Sequence, residues 1–313
     1  METDKNNSSN QLQIPEIFKG KLFIDPRYDE AFKILFNDKK LLIHFLNGIL
    51  KLENETQITD IDYLPQENIA GFTDAVVSGR FDIIARTQSE EYINIEIQQQ
   101  KHAFWKDRVL LYNALLMLQA KKDWNDKQKT KHGNKSHYVP RVVSIWVCDF
   151  KQGSTSHFHD EWMLYSKNEI EKRVNILPVT NGLSYIFLEL PKFRKHIDEL
   201  TTIEDKWLYL LKTAGDLRSV PKMNDELFDL AYTRLRVDKQ NQVTLLKLAE
   251  SMVTQAEIND CKTLALQEGR QEGREAGRNE KAREMAREML KDKASIRTIS
   301  KYTGLSEEEI LKL

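Results

Sequence analysis

The chain has 313 residues, 40% hydrophobic and 30% charged, a globular composition with room for one large domain or two modest ones. Its 47 basic and 48 acidic side chains leave a net charge of −1, which excludes a whole-molecule field for nucleic acid and leaves any such contact to local patches. Two distant cysteines, Cys148 and Cys261, exclude a disulfide framework and a zinc set and suit a reducing cytoplasm, and no apolar run approaches the ~18 residues of a membrane span.

Residues 1–20, opening METDKNNSSNQ with no apolar signal core, read as a disordered leader. Pro26 and Asp29 precede a helical pattern that sets Phe32, Leu35 and Phe36 on one side, and LLIHFLNGILKL (41–52) predicts a second helix. TQITDIDYLPQ (56–66) has strand character. The segment 79–100 then alternates. Phe81, Ile83 and Ala85 share one face, opposed by Arg80, Asp82, Ile84 and Arg86; Ile93, Ile95 and Ile97 share a face, opposed by Asn94, Glu96 and Gln98. The short polar link TQSEE (87–91) predicts a hairpin. Residues 103–120 follow as an amphipathic helix, 121–138 as a Lys-rich excursion, and RVVSIWVCDF (141–150) as a strand apolar on both faces. YIFLEL (185–190) is a further short strand, and from Lys192 the pattern is helical.

A hairpin symmetric about Ser89 opposes Asp82 to Glu96 and Arg80 to Gln98, and it stacks the apolar residues of both strands on the other face. A slip of one residue would bury charge, so the apolar pattern supports this register independently. Two directly opposed carboxylates repel; a hard cation between them removes that cost, and Mg²⁺ is commonly held by one or two carboxylates plus water and phosphate. Gln98 lies on the same face, where its amide can orient water but cannot act as a base. The plain alternative is a solvated polar face of a half-buried hairpin.

At these residues the chain resembles the PD-(D/E)XK nuclease superfamily and, within it, the Rpn-type family of recombination-promoting nucleases and transposases. DEAFKILF (29–36) with LNGIL (46–50), RFDII (80–84), NIEIQ (94–98), KDRVLLYNALL (106–116), LELPKF (188–193) and the EGRQEGREAGR tail ending in TGLSEEEI occur in the family's order. The resemblance implies an α/β core of αβββαβ type, a mixed sheet flanked by helices, with a Mg²⁺ or Mn²⁺ ion at Asp82 and Glu96 and DNA as substrate. It departs from the superfamily pattern in having Phe81 where Pro precedes the first acid, and Gln98 where the Lys stands. Loss of that Lys removes a cation from the site, and Arg80 is the sequence-level candidate to replace it. The resemblance also offers Asp29 and Lys33 as site residues, although at i,i+4 they can simply pair. Arg108 and Tyr112, also i,i+4, either reach DNA phosphate or cover the core.

Six lysines between 121 and 138 against two aspartates make a basic stretch that either contacts phosphate or is solvated, and Trp124 and Tyr138 within it are candidates to stack on an unpaired base. Gly269, Gly273 and Gly277 form a stripe on a tail helix whose mixed charge suits self-association or a flexible arm; Ser295, Gly304 and the Ser306/Glu309 capping box predict a terminal helical pair, loosely like a helix-turn-helix but too short and acidic to read DNA by itself. The expected organisation is therefore a leader (1–20), a nuclease-like domain (21–195), a helical region (196–263) and a helical tail (264–313). The expected function is a cytoplasmic, metal-dependent DNA endonuclease linked to recombination or mobile elements. The alternative is a catalytically weak or inactive DNA-binding or assembly protein on the same fold.

Overall fold

The computed structural model describes residues 14–65, 81–128, 137–173 and 176–313; Arg80, Lys129, Lys131, Lys135 and residues 1–13 of the leader lie outside them. The chain divides into two compact units, Met1–Ser251 and Met252–Leu313.

The first unit opens with a 3-10 turn, Glu16–Phe18, whose Phe18 is buried. Helices α1 (Asp29–Phe36) and α2 (Lys39–Ile49) follow, then β1 (Ile61–Tyr63), β2 (Ile83–Thr87), β3 (Tyr92–Gln98), α3 (Trp105–Gln128) and β4 (Val142–Cys148). This is the αβββαβ succession. Strand β5 (His159–Trp162), helix α4 (Lys167–Lys172) and strand β6 (Leu183–Glu189) extend it to a six-stranded sheet in the order β1-β2-β3-β4-β6-β5. The β1–β2, β2–β3 and β5–β6 pairs are antiparallel, and β3–β4 and β4–β6 parallel. Parallel neighbours need a long crossover, which α3 supplies between β3 and β4. The β2–β3 register pairs Ile83 with Ile95, Ile84 with Asn94 and Ala85 with Ile93, as the apolar alternation requires.

One face of the sheet is covered by α3. Val109, Tyr112, Leu115, Leu116 and Ala120 pack there on Ile84, Tyr92, Trp146, Cys148 and Phe187. The opposite face, with Ile83, Ala85, Ile93, Ile95, Val143, Ile145 and Leu188, is buried as well. The polar side of the β2–β3 hairpin is thus no solvated surface: Asn94, Glu96 and Ser144 are fully buried. Strand β5 went unrecognised in the sequence because HDEW is a charged edge strand, the usual protection of a sheet margin. The rings of Trp124 and Tyr138 lie 4.5 Å apart and pack on each other, with Tyr138 45% exposed.

Helices α5 (Ile203–Thr213) and α6 (Glu226–Leu235) pack on α1 and α2. Trp207 sits among Phe36, Phe45 and Phe228, with ring centroids 4.9–5.7 Å away. Arg234 donates two hydrogen bonds to the Ile34 carbonyl, at 3.1 and 2.8 Å. Helix α7 runs over Gln242–Lys291. A Cβ added at Gly269, Gly273 or Gly277 would meet nothing within 4 Å. In the second unit, α8 (Ile296–Thr303) and α9 (Glu307–Ile310) close a small core of Ala286, Ile299, Leu305 and Ile310. Ser295 caps α8 through the Thr298 N–H, Gly304 ends it at φ +73°, and Ser306 and Glu309 form the capping box of α9.

The approach to α1 is anchored by close packing. Asp25 is held by Arg27 (Nη2–Oδ2 2.7 Å), and a Cβ at Gly215 would stand 2.7 Å from the Asp25 Cβ. Gly215→Ala should therefore cost roughly 1–3 kcal/mol through overpacking against a side chain that its ion pair prevents from moving. Thermal unfolding checks this: an unchanged melting temperature contradicts the close approach.

Candidate active site

The site lies where β2 begins and β3 ends, so that residues from α1, the hairpin and α3 meet. Asp82 immediately precedes β2, opposite Glu96 in the continued register. Its backbone N–H donates to Glu96 Oε1 at 3.1 Å, and its own Oδ2 accepts from the Ile97 N–H at 2.9 Å. Each carboxylate is therefore oriented by the neighbouring strand's backbone. Both are buried, Asp82 6% exposed and Glu96 0%.

Burial has a marked electrostatic consequence. Desolvation, then the nearby Asp29 charge, pushes the Asp82 carboxyl up to about 7, against the pull of the Ile97 N–H and of Lys33. Glu96 is raised well above the ordinary carboxylate range, first by burial and then by the charge of Asp82. Two cations partly offset this. Lys33 Nζ lies 3.7 Å from Asp82 Oδ1 and 3.3 Å from Asp29 Oδ2. The i,i+4 pairing of Asp29 and Lys33 thus coexists with contact to the site. On the other side, Arg108 of α3 places Nη2 3.8 Å from Glu96 Oε2 and donates through Nη1 to Gln98 Oε1 at 3.5 Å.

The structure thus gathers Asp29, Lys33, Asp82, Glu96, Gln98 and Arg108. Tyr112 has a different place: its ring is 9% exposed, 4.7 Å from Phe81 and 5.8 Å from Trp146, with the Arg108 guanidinium 4.9 Å above it. It supports Arg108 from within the core. Arg80 lies outside the described residues.

The residues that set the two helices were not visible as such in the sequence. Gln99 Nε2 donates to the Arg27 carbonyl at 3.0 Å, tying the end of β3 to the approach of α1. Trp105 Nε1 donates to Gln152 Oε1 at 2.8 Å, and the Gln152 N–H donates to Glu189 Oε2 at 2.6 Å. Glu189 in turn forms a buried ion pair with Lys192 at 2.7 Å. That relay fixes the first turn of α3, one turn before Arg108. The only sequence signal for it was the LELPKF segment, which shows no partner at such a distance.

A family model for PD-(D/E)XK nuclease family transposases matches residues 26–260. The chain belongs to this family. A second model, the C-terminal HTH domain of the Rpn/YhgA-like nuclease family, matches residues 279–313 and covers α8 and α9. No curated protein and no solved structure matches the chain significantly. The family match spans every residue gathered at the site and supports a nuclease-type, DNA-related function. No helix among the described residues is long and apolar enough to cross a membrane.

The donor set fits a hard divalent cation. It consists of carboxylate and amide oxygens, and the buried Glu96 Oε2 has no hydrogen-bond partner among the described residues. Among those residues no group of three or more His, Cys, Asp or Glu side chains forms a metal cluster, so a cation here would depend on two carboxylates.

The raised Asp82 carboxyl sets the sign of a stability effect. Between its ordinary value near 4 and about 7, the folded chain holds a proton that the unfolded chain has released, so stability falls as pH rises through that window. In metal-free buffer, Asp82→Asn should therefore melt above wild type at pH 8, with the difference shrinking toward pH 5. A wild-type advantage at pH 8 would mean that the ionised carboxylate is stabilised by its surroundings.

Proposed function

We propose that the chain is a divalent-metal-dependent endonuclease that hydrolyses DNA phosphodiesters. The observation that supports this most is the convergence of buried Asp82 and Glu96, with Glu96 Oε2 making no hydrogen bond among the described residues and a cation on either side. Burying two like charges side by side is costly, and a site shaped to receive a cation accounts for that cost.

Asp82 and Glu96 would hold Mg²⁺ or Mn²⁺, which when bound polarises the phosphodiester and lowers the pKa of the attacking water. The remaining roles belong to the chain. Lys33, between Asp29 and Asp82, presents an ammonium on the α1 side toward a phosphate oxygen. Arg108 fixes the carbonyl of Gln98, so the Gln98 amide nitrogen is left to donate to water or phosphate. The same guanidinium, standing beside Glu96, carries the positive charge that the superfamily's usual lysine would supply at position 98. A preorganised cation of this kind stabilises charge that develops on the phosphate. Hydrolysis takes a proton from water and expels a sugar hydroxyl; Gln98 can orient that water but cannot take its proton.

Supercoiled plasmid incubated with full-length protein and Mg²⁺ or Mn²⁺ should be nicked. Asp82→Ala and Glu96→Gln should fall to background, and Arg108→Ala should be slowed about 100- to 1,000-fold, with partial recovery in Arg108→Lys. Equal nicking by wild type and both acid variants would overturn the enzymatic reading, and retained DNA binding in that case would favour a binding protein on the same fold.

A further inference from the structure

We propose that the groove between α1 and the β1–β2 margin seats one unstacked nucleobase of the DNA strand whose phosphate lies at Asp82 and Glu96. The inference rests on the nuclease reading for the position of the phosphate, and on separate observations for the base.

The groove has a volume of about 280 Å³ and is lined by Glu30, Lys33, Asn37, Tyr63, Leu64 and Ile83, among others. Lys33 links it to the acids: it lines the groove, and its Nζ is 3.7 Å from Asp82 Oδ1. A phosphate neutralised by that ammonium therefore has its own nucleoside at the mouth of the groove. The volume lies at the lower limit for small-molecule pockets, ~300 Å³, which suits one base rather than a peptide or a helix.

The lining has the chemistry of a base site. Tyr63 is 40% exposed, yet its hydroxyl donates to the Phe36 carbonyl at 2.6 Å, so an exposed aromatic ring is held in a fixed plane. Every nucleobase offers a face to such a ring. Leu64 and Ile83 make the apolar floor. At the rim, the Asn37 amide and the Glu30 carboxylate make no side-chain hydrogen bond among the described residues, and both can meet the polar edge of a base. The Glu30 charge argues against a second phosphate as occupant. A base stacked within a duplex cannot enter, so occupancy requires a single-stranded or extruded nucleotide. Unpaired positions should therefore be favoured.

The test measures binding of the full-length chain in Ca²⁺ to three labelled duplexes that differ at one position: fully paired, carrying one extrahelical base, or abasic there. The extrahelical base should be bound about tenfold more tightly than the abasic duplex, within the five- to 150-fold range of a single base stack. Tyr63→Leu should abolish that difference and Tyr63→Phe retain it, with melting temperatures confirming that both variants fold. With 2-aminopurine as the extrahelical base, wild type should quench its emission. Equal affinity for the abasic and base-containing duplexes, an undiminished difference in Tyr63→Leu, or no binding to any of the three overturns the proposal. Because nothing is cut in this assay, an inert plasmid assay alongside an intact base-dependent gain would sink the nuclease reading and leave the groove.

Discussion

Two carboxylates, Asp82 and Glu96, are buried next to each other, and most of the fold can be understood as the means of holding them there. A carboxylate out of water must be ligated, paired or protonated. Here each takes one backbone N–H from the other strand, which orients it without neutralising it. The strands are locked in this register because both faces of the sheet are covered. Ile83, Ala85, Ile93 and Ile95 lie beneath one layer, and Ile84, Tyr92 and Trp146 beneath α3. A shift by one residue would drive Asp82 and Glu96 into the wholly apolar layer on the other face and turn isoleucines toward the acids' place. The hydrophobic core, with Tyr112 beneath Arg108 and Trp146 beside Glu96, thus holds the polar site in place.

The flanking cations depend on two helices whose starting points are fixed by polar relays. On one side, Asp25 clamps Arg27, and Gln99 holds the Arg27 carbonyl, which sets the start of α1 and hence Lys33. On the other, the buried Glu189–Lys192 pair orders Gln152, which takes the Trp105 indole N–H and sets the start of α3 and hence Arg108. Placing long cationic side chains against buried acids costs rotamer entropy. Arg108 is further confined by the Tyr112 ring beneath it, so part of that cost is met before any substrate arrives. The Tyr112 ring itself packs against Phe81 and Trp146.

What could be read from the sequence follows the range of the interactions. The hairpin spans few residues, its alternation is broken only by Ile84 and by Phe81, which packs on the α3 side, and its turn is short, so the opposition of Asp82 and Glu96 was legible. The α1 and α3 faces and the caps of α8 and α9 were legible for the same reason: each depends on spacing within one element; the αβββαβ succession came from the family resemblance. The burial of the hairpin's polar side was not, because Asn94 and Glu96 look like solvent-facing residues until α3 is laid over them. Nor was the mutual packing of Trp124 and Tyr138, the charged edge strand β5, or the reach of Arg108 to both Glu96 and Gln98. The Trp105–Gln152 and Gln152–Glu189 contacts join residues 47 and 37 positions apart, and no local pattern marks them.

The balance of charge in the site explains why metal and proton should be alternatives. With every group ionised, Asp29, Asp82 and Glu96 face Lys33 and Arg108, one negative charge in excess in a poorly solvated space. A proton cancels that excess, and burial first, then the Asp29 charge, pushes the Asp82 carboxyl up to about 7. On the proposed reading, a divalent cation would overcompensate it by one, and a single phosphodiester would then restore neutrality. Protonation of either acid would work against the cation. A lysine at position 98 beside Arg108 would leave the metal-loaded site with a second excess positive charge. Glutamine there keeps the hydrogen-bonding capacity while leaving the charge to Arg108, so the substitution that departs from the superfamily pattern is coherent with the rest of this site.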